Sequence, residues 1–280
     1  MILVTGATGN VGRHVLQRLL DRGEKVRALV RTPETAGLPS AAEVVQGDLS
    51  PPETVAAALD GVRAVFLFAV PGSGPAFVEA AQEAGVERVV LLSSNAVDDD
   101  AAEQANPIAA YHAEIERALR GSLLAWTLLR SGHMATNALP WAAQTKVGDV
   151  VRGPYAGATS APVHEADIAD VAVTALIADG HAGQTYELTG PASLTAAEQV
   201  ALIGQAVGRP LTYDELPSQV AYEQMSKFIP PFIIDTLFQG WEESVGVPAT
   251  VHPAVEKITG RPARTFTEWA SDHAADFHRN

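Results

Sequence analysis

Two patterns alternate along the first half of the chain. Apolar runs near residues 2–5, 25–30, 43–47, 63–69, 87–93 and 125–130 have the length and β-branching of strands. Most are apolar throughout, as strands covered on both faces require. Between them, near 10–22, 51–59, 74–84 and 106–120, apolar positions recur at helical spacing; Val15, Leu16, Leu19 and Leu20 form one such stripe. Repeated strand–helix–strand units with right-handed crossovers predict a doubly wound parallel sheet. Beyond residue 135 the pattern is mixed. Asp167 is the expected cap of a helix running to Ala178, and residues 184–190 read as a strand. Thr195-Ala196-Ala197-Glu198 forms a capping box before a further helix. A strand around 208–213 and a final helix after Thr265-Phe266 complete the expectation.

The first strand–helix junction reads Thr5-Gly6-Ala7-Thr8-Gly9-Asn10-Val11-Gly12. A strand, a glycine loop and a helix in that order aim the first helix amides, with the helix dipole, at a phosphate. The spacing is G-x-x-G-x-x-G rather than the common G-x-G-x-x-G, but the physics is similar. Gly6 permits the turn, Gly9 admits a pyrophosphate to the backbone and Gly12 lets the helix pack on the strand. Gly6, Thr8, Gly9, Asn10, Val11 and Gly12 are therefore read as dinucleotide contacts. The second strand ends at Val30-Arg31-Thr32, about 20 residues past the loop, where an acid would hold the ribose 2′-hydroxyl of NAD. Arg31 stands there instead and suits a 2′-phosphate, so NADP(H) is the expected cofactor. The fourth strand ends Phe68-Ala69-Val70-Pro71-Gly72 beside the loop. Ala69 and Val70 are expected along the cofactor's ribose and nicotinamide.

The N-terminal octapeptide resembles the atypical, extended short-chain dehydrogenase/reductase superfamily. Later segments, among them His112 to Glu116, Leu129-Arg130-Ser131-Gly132 and Thr259-Gly260-Arg261-Pro262, resemble its NmrA-like branch of NAD(P)H-binding proteins and quinone oxidoreductases. The resemblance implies a Rossmann-type domain over residues 1–150, with 163–180 returning to it, and a smaller substrate-binding α/β lobe over 181–280. It implies an adenine contact from Asp48; the alternative is that Asp48 only closes a turn or caps the helix that Ser50-Pro51-Pro52-Glu53 begins. It also places Ser93 at the cofactor and Ser94 where related reductases polarise a substrate carbonyl. Tyr111 matches the tyrosine of the catalytic Y-x-x-x-K, but the lysine position is Ile115. Without that lysine, Tyr111 is expected to be a poor proton donor near neutral pH. His112 and Glu116 lie on one helix face in the H-x-x-x-E spacing of NmrA-like quinone reductases. Alternatively, His112 belongs to the packed stripe of Ile108, Ile115 and Leu119 and pairs with Glu116. The family segment L-R-P-G-x-F-M-x-N is loosely matched after Leu129, with Ser131 for proline; it implies substrate contacts from His133 and Asn137.

Charge and composition narrow the function. A net charge of −14 over 280 residues argues against nucleic acid or anionic membranes as partners. The longest apolar runs are too short to span a bilayer. The absence of cysteine removes thiol chemistry and disulfides. With a first strand starting at Ile2 and no signal peptide expected before it, a cytoplasmic location is expected. Asp98-Asp99-Asp100 with Glu103 reads as an exposed acidic loop without metal-ligand spacing. Aromatic and apolar residues crowd 222–241, where Pro230-Pro231 should split two helices. Phe228, Phe232 and Trp241 either wall the substrate or form the small lobe's core. The function these features suggest is NADPH-dependent hydride transfer to a small electron-poor acceptor, a quinone or conjugated carbonyl, by a monomer or homodimer. Two alternatives share the same motifs: a non-catalytic NADP-binding regulator, and a tailoring reductase or isomerase of secondary metabolism.

Overall fold

A computed structural model describes residues 1–50 and 53–279. Pro51 and Pro52, part of the expected start of the second helix, lie outside the described residues. In chain order the elements are β1 (Ile2–Val4), α1 (Gly12–Asp21), β2 (Val26–Val30), β3 (Glu43–Gln46), α2 (Glu53–Leu59), β4 (Ala64–Phe68), α3 (Gly74–Glu83), β5 (Arg88–Ser94), α4 (Pro107–Arg120) and β6 (Ala125–Ser131). There follow α5 (Ala142–Thr145), β7 (Val150–Gly153), β8 (Thr159–Ser160), α6 (Glu165–Ile177), β9 (Gln184–Leu188), β10 (Leu194–Thr195), α7 (Ala196–Ala206) and β11 (Thr212–Glu215). The chain continues through α8 (Ser218–Met225), α9 (Pro231–Ser244), α10 (Ala254–Thr259), α11 (Phe266–Asp272) and α12 (Ala274–Phe277). No helix among the described residues is long and apolar enough to cross a membrane.

Contacts divide the chain into two units. The first comprises Met1–Ser131, Glu165–Leu188 and Ala254–Gly260. Its seven-stranded sheet has the order β3-β2-β1-β4-β5-β6-β9, and every neighbouring pair is parallel. The doubly wound Rossmann-type sheet expected from the alternating pattern is therefore present. Ile2, Leu3 and Val4 are fully buried, as a central strand between two helical layers demands. The edge strand β3 is more exposed along its length, so its short apolar run signals pairing rather than burial on both faces. Two ion-based contacts fix α6 within this unit. Arg18 of α1 bonds Asp170 at 2.6 Å, and the Arg88 guanidinium donates to the carbonyls of Ala175, Leu176 and Ala178 at the end of α6. Asp167 does not cap α6: the helix starts at Glu165, which puts Asp167 inside the first turn, where a carboxylate is favoured by the helix dipole.

The second unit comprises Gly132–His164, Thr189–Pro253 and Arg261–Asn280. Two small sheets belong to it, β7 with β11 in parallel and β8 with β10 antiparallel. Its core gathers Val151, Val200, Ile203, Leu211, Phe266, Trp269 and Phe277. The capping box at Thr195 and Glu198 starts α7, and a second, Thr265 with Glu268, starts α11. Pro230 and Pro231 separate α8 from α9, so the expected two-piece helix is found.

Candidate active site

The glycine loop follows β1. Thr5 is buried; its hydroxyl donates to the Phe66 carbonyl at 3.1 Å and accepts from the Phe68 amide at 2.7 Å, which locks the loop's root to β4. Gly6 has φ +61°, a conformation side-chain-bearing residues rarely adopt, and a Cβ there would sit 3.0 Å from that of Phe68. A Cβ on Gly12 would run into the Gly6 carbonyl, so only glycine lets α1 begin this close to the loop. The start of α1 has no side-chain cap, and Gly6, Thr8, Gly9 and Asn10 are exposed. Arg13 folds back to donate to the carbonyls of Thr8 and Gly9, at 3.0 and 3.2 Å. These features fit a dinucleotide pyrophosphate: an open, uncapped helix terminus over a loop whose Gly6, Gly9 and Gly12 carry no Cβ.

The remaining candidate cofactor contacts lie at the same edge of the sheet. β3, β2, β1, β4 and β5 are adjacent and parallel, so their C-terminal ends share one edge. Arg31 follows β2 and is exposed. Asp48 follows β3; its amide donates to the Thr54 hydroxyl at 3.0 Å, which in turn donates to its carbonyl at 2.7 Å. Ala69 and Val70 follow β4, where the Ser73 hydroxyl closes the turn by donating to the Val70 carbonyl at 2.8 Å. Ser93 and Ser94 end β5. The order reverses between β1 and β4, the crevice in which such sheets bind ligands.

Ser93 and Ser94 have different surroundings. The Ser94 hydroxyl accepts from the Ala96 amide at 3.1 Å and is half-buried. The Ser93 hydroxyl is buried and donates to Glu116 at 2.6 Å. Glu116 also accepts from Arg130 Nε at 3.0 Å and Nη2 at 2.6 Å. The opposite edge of the Arg130 guanidinium grips Asp99, at 2.6 and 3.1 Å. The acidic loop is exposed, as expected, and Asp99 within it also balances an arginine at the end of a buried strand. Both Arg130 and Asp99 shift to favour their charged forms: carboxylates raise the Arg130 pKa, and hydrogen bonding to Arg130 lowers that of Asp99. Only the Arg130–Glu116 pair is buried on both sides, and removing Glu116 from it would leave a poorly compensated buried charge, at about 3–5 kcal/mol.

This network also settles where His112 stands. Glu116 spends its carboxylate on Ser93, Arg130 and, at 3.5 Å, Arg120, so the alternative in which His112 pairs with Glu116 is not found. His112 is buried, its Nδ1 without a hydrogen-bond partner, and burial pushes its imidazole down to about 4. The ring lies 4.2 Å from that of Tyr111. Tyr111 is half-buried, and burial raises its pKa. Ile115 is fully buried against Gly74 at the start of α3, where a Cβ would come within 2.7 Å of its Cγ1. The lysine position is therefore filled by core packing.

His133 and Asn137 lie in the second unit. His133 is half-buried, its carbonyl accepts from the Val163 amide at 2.9 Å, and burial lowers its imidazole to about 4. Asn137 is exposed on a 3₁₀ turn over Ala135–Trp141. Trp241 packs on Phe238 at 5.6 Å, whereas Phe228 is 88% exposed and Phe232 51%. Sequence reasoning missed the role of Arg130. Its signal was a single arginine closing an apolar strand, a position that needs carboxylate partners when buried.

A parallel sheet with an open glycine cradle at its switch point, beside a helix that keeps the tyrosine but not the lysine, defines an NAD(P)H-dependent oxidoreductase of the NmrA-like, atypical short-chain type. The chain belongs to the NAD(P)H-binding family, whose model matches residues 6–179. It is 40% identical to a (4-alkanoyl-5-oxo-2,5-dihydrofuran-3-yl)methyl phosphate reductase of Streptomyces griseus subsp. griseus, over 99% of each chain. It is 34% identical to an NAD(P)H azoreductase of Xenophilus azovorans, again over 99% of each. Among solved structures it resembles an NADPH-dependent quinone oxidoreductase of Escherichia coli in complex with NADPH, with a TM-score of 0.80 and 26% identity, covering 97% of this chain and 99% of that one.

Proposed function

We propose that this reductase passes hydride from NADPH to a flat, doubly activated conjugated acceptor, an acyl butenolide or a quinone. The observation that carries the reading is Ile115, buried in the place of the lysine that would activate Tyr111. Burial raises the Tyr111 pKa, which keeps its proton further from use at neutral pH. A ketone reduced here would become a strongly basic alkoxide in need of an acid. A quinone instead gives a phenolate-like oxygen, near the basicity of a tyrosine side chain. In an acyl butenolide of the kind the Streptomyces relative's name describes, hydride adds to ring carbon 3. The alkene's electron pair then moves to carbon 4 and spreads over two carbonyl oxygens, and water can supply the proton. Both acceptors suit a site with a weak acid.

The cofactor, when bound, supplies the hydride. The loop from Gly6 to Gly12 would receive its pyrophosphate, Arg31 its 2′-phosphate and Asp48 its adenine, with Ala69, Val70 and the end of β5 beside its ribose and nicotinamide. Ser94 is the candidate for polarising an acceptor oxygen, and His112, uncharged at neutral pH, is a neutral hydrogen-bonding group beside Tyr111. The test is NADPH oxidation, followed by absorbance, over a panel of acyl butenolides, quinones, azo dyes and simple ketones. Turnover should be confined to the conjugated acceptors. Equal or faster turnover of simple ketones would count against the reading.

A further inference from the structure

In the second unit the chain turns from β7 to β8 through residues 153–158, and the Ala158 amide donates to the Tyr155 carbonyl at 2.9 Å. Tyr155 has φ +49° and is the one non-glycine residue with positive φ among the described residues. A side chain is disfavoured in this backbone conformation, which turns usually give to glycine or asparagine. A bulky aromatic held there is a strained position, and strain of this kind gathers at ligand-binding sites. The strain presents the Tyr155 ring to α9. It meets Phe238 edge-on at 5.7 Å and lies tilted to Trp241 at 6.5 Å. Phe238 in turn contacts Trp241 and Tyr222, each at 5.6 Å between centroids. All four rings are only half-buried, unlike Phe266, Trp269 and Phe277 in the same unit's core. No hydrogen bond holds the Tyr155 hydroxyl among the described residues, so the ring rather than the hydroxyl accounts for a tyrosine in the turn.

We infer that Tyr155 is a specificity-determining residue: with Phe238 and Trp241 it forms an aromatic surface that stacks a flat, electron-poor acceptor ring. The faces of aromatic side chains carry the negative part of their quadrupole, which complements a ring depleted of electrons by carbonyl groups. The inference rests on the acceptor class proposed above. It assigns acceptor reading to the Tyr155 cluster rather than to Phe228 and Phe232.

The experiment is a calorimetric titration of menadione, a flat quinone, into protein saturated with NADP⁺, which has no hydride to give. Tyr155→Phe keeps the ring and should bind within about twofold of wild type, whereas Tyr155→Asn and Tyr155→Gly, which suit the left-handed backbone, should bind about tenfold more weakly. NADP⁺ affinity should stay level in all three, and the melting temperatures of the Asn and Gly variants should not fall. Wild-type menadione affinity in the Asn and Gly variants overturns the inference, as does failure of the wild type to bind menadione. Loss of menadione binding only together with NADP⁺ binding also overturns it. A wild type that binds menadione through Tyr155 but never reduces it with NADPH contradicts the proposed reaction and leaves the inference standing. One that reduces menadione while Tyr155→Gly binds it unchanged contradicts the inference alone.

Discussion

Arg31 is exposed at the tip of β2, with Thr32 beside it. A charge-assisted bond to a 2′-phosphate is worth about 1.5–3 kcal/mol, so Arg31→Ala should weaken NADPH binding by at least about tenfold. NADH should bind nearly as before. Calorimetric titrations of both cofactors check this, and equal losses for the two would remove Arg31 from cofactor choice. Tyr111→Phe should keep most of the turnover on quinones. A loss of about a thousandfold with the fold intact would restore Tyr111 as the acid. Residue roles were unevenly legible in the sequence. The needs of Gly6 and Gly12 could be read because they are local, set by a turn and a helix start a few residues apart. Glu116 was visible only as half of a helical pair with His112. Its true partners, Ser93 and Arg130, arrive from two neighbouring strands, and no spacing along the chain announces them.

α4 shows how one element combines these scales. Asn106 caps it, accepting from the Ala109 amide at 2.9 Å, and Pro107 opens its first turn. Its inner face buries Ile115 and Leu119 beside His112 and Glu116. The helix was legible from its apolar period, but the state of His112 was not, because desolvation depends on what packs over the ring. In the unfolded chain this imidazole titrates near 6.5, while burial holds it near 4 in the fold. Below about pH 6.5 the unfolded chain therefore binds the extra proton, and stability should fall as pH drops toward 4. The loss from His112 amounts to at most about 3 kcal/mol. His133 shifts in the same direction and adds to it. Urea unfolding at pH 7.5 and at pH 5 measures the slope, and His112→Gln should flatten it. Stability that holds level or rises as the wild type is acidified contradicts the burial of His112.

At the scale of the whole molecule, the alternating pattern made the parallel sheet readable because each strand–helix–strand unit carries its own signal. The second unit was less readable: its strands are short, and they pair across long separations, as β7 does with β11 and β8 with β10. Tyr155 gave no signal, since a positive φ at a non-glycine residue is set by the turn around it. The central claim is a single reaction, hydride transfer from NADPH to a conjugated acceptor with little help from a protein acid. Its most direct measurement uses NADPH deuterated at C4 of the nicotinamide, one face at a time, with an acyl butenolide as acceptor. Mass spectrometry and NMR of the product should find deuterium at ring carbon 3 from one face only, with the proton at carbon 4 drawn from solvent. No deuterium in the product from either face, while both NADPH and the butenolide bind, would contradict the account.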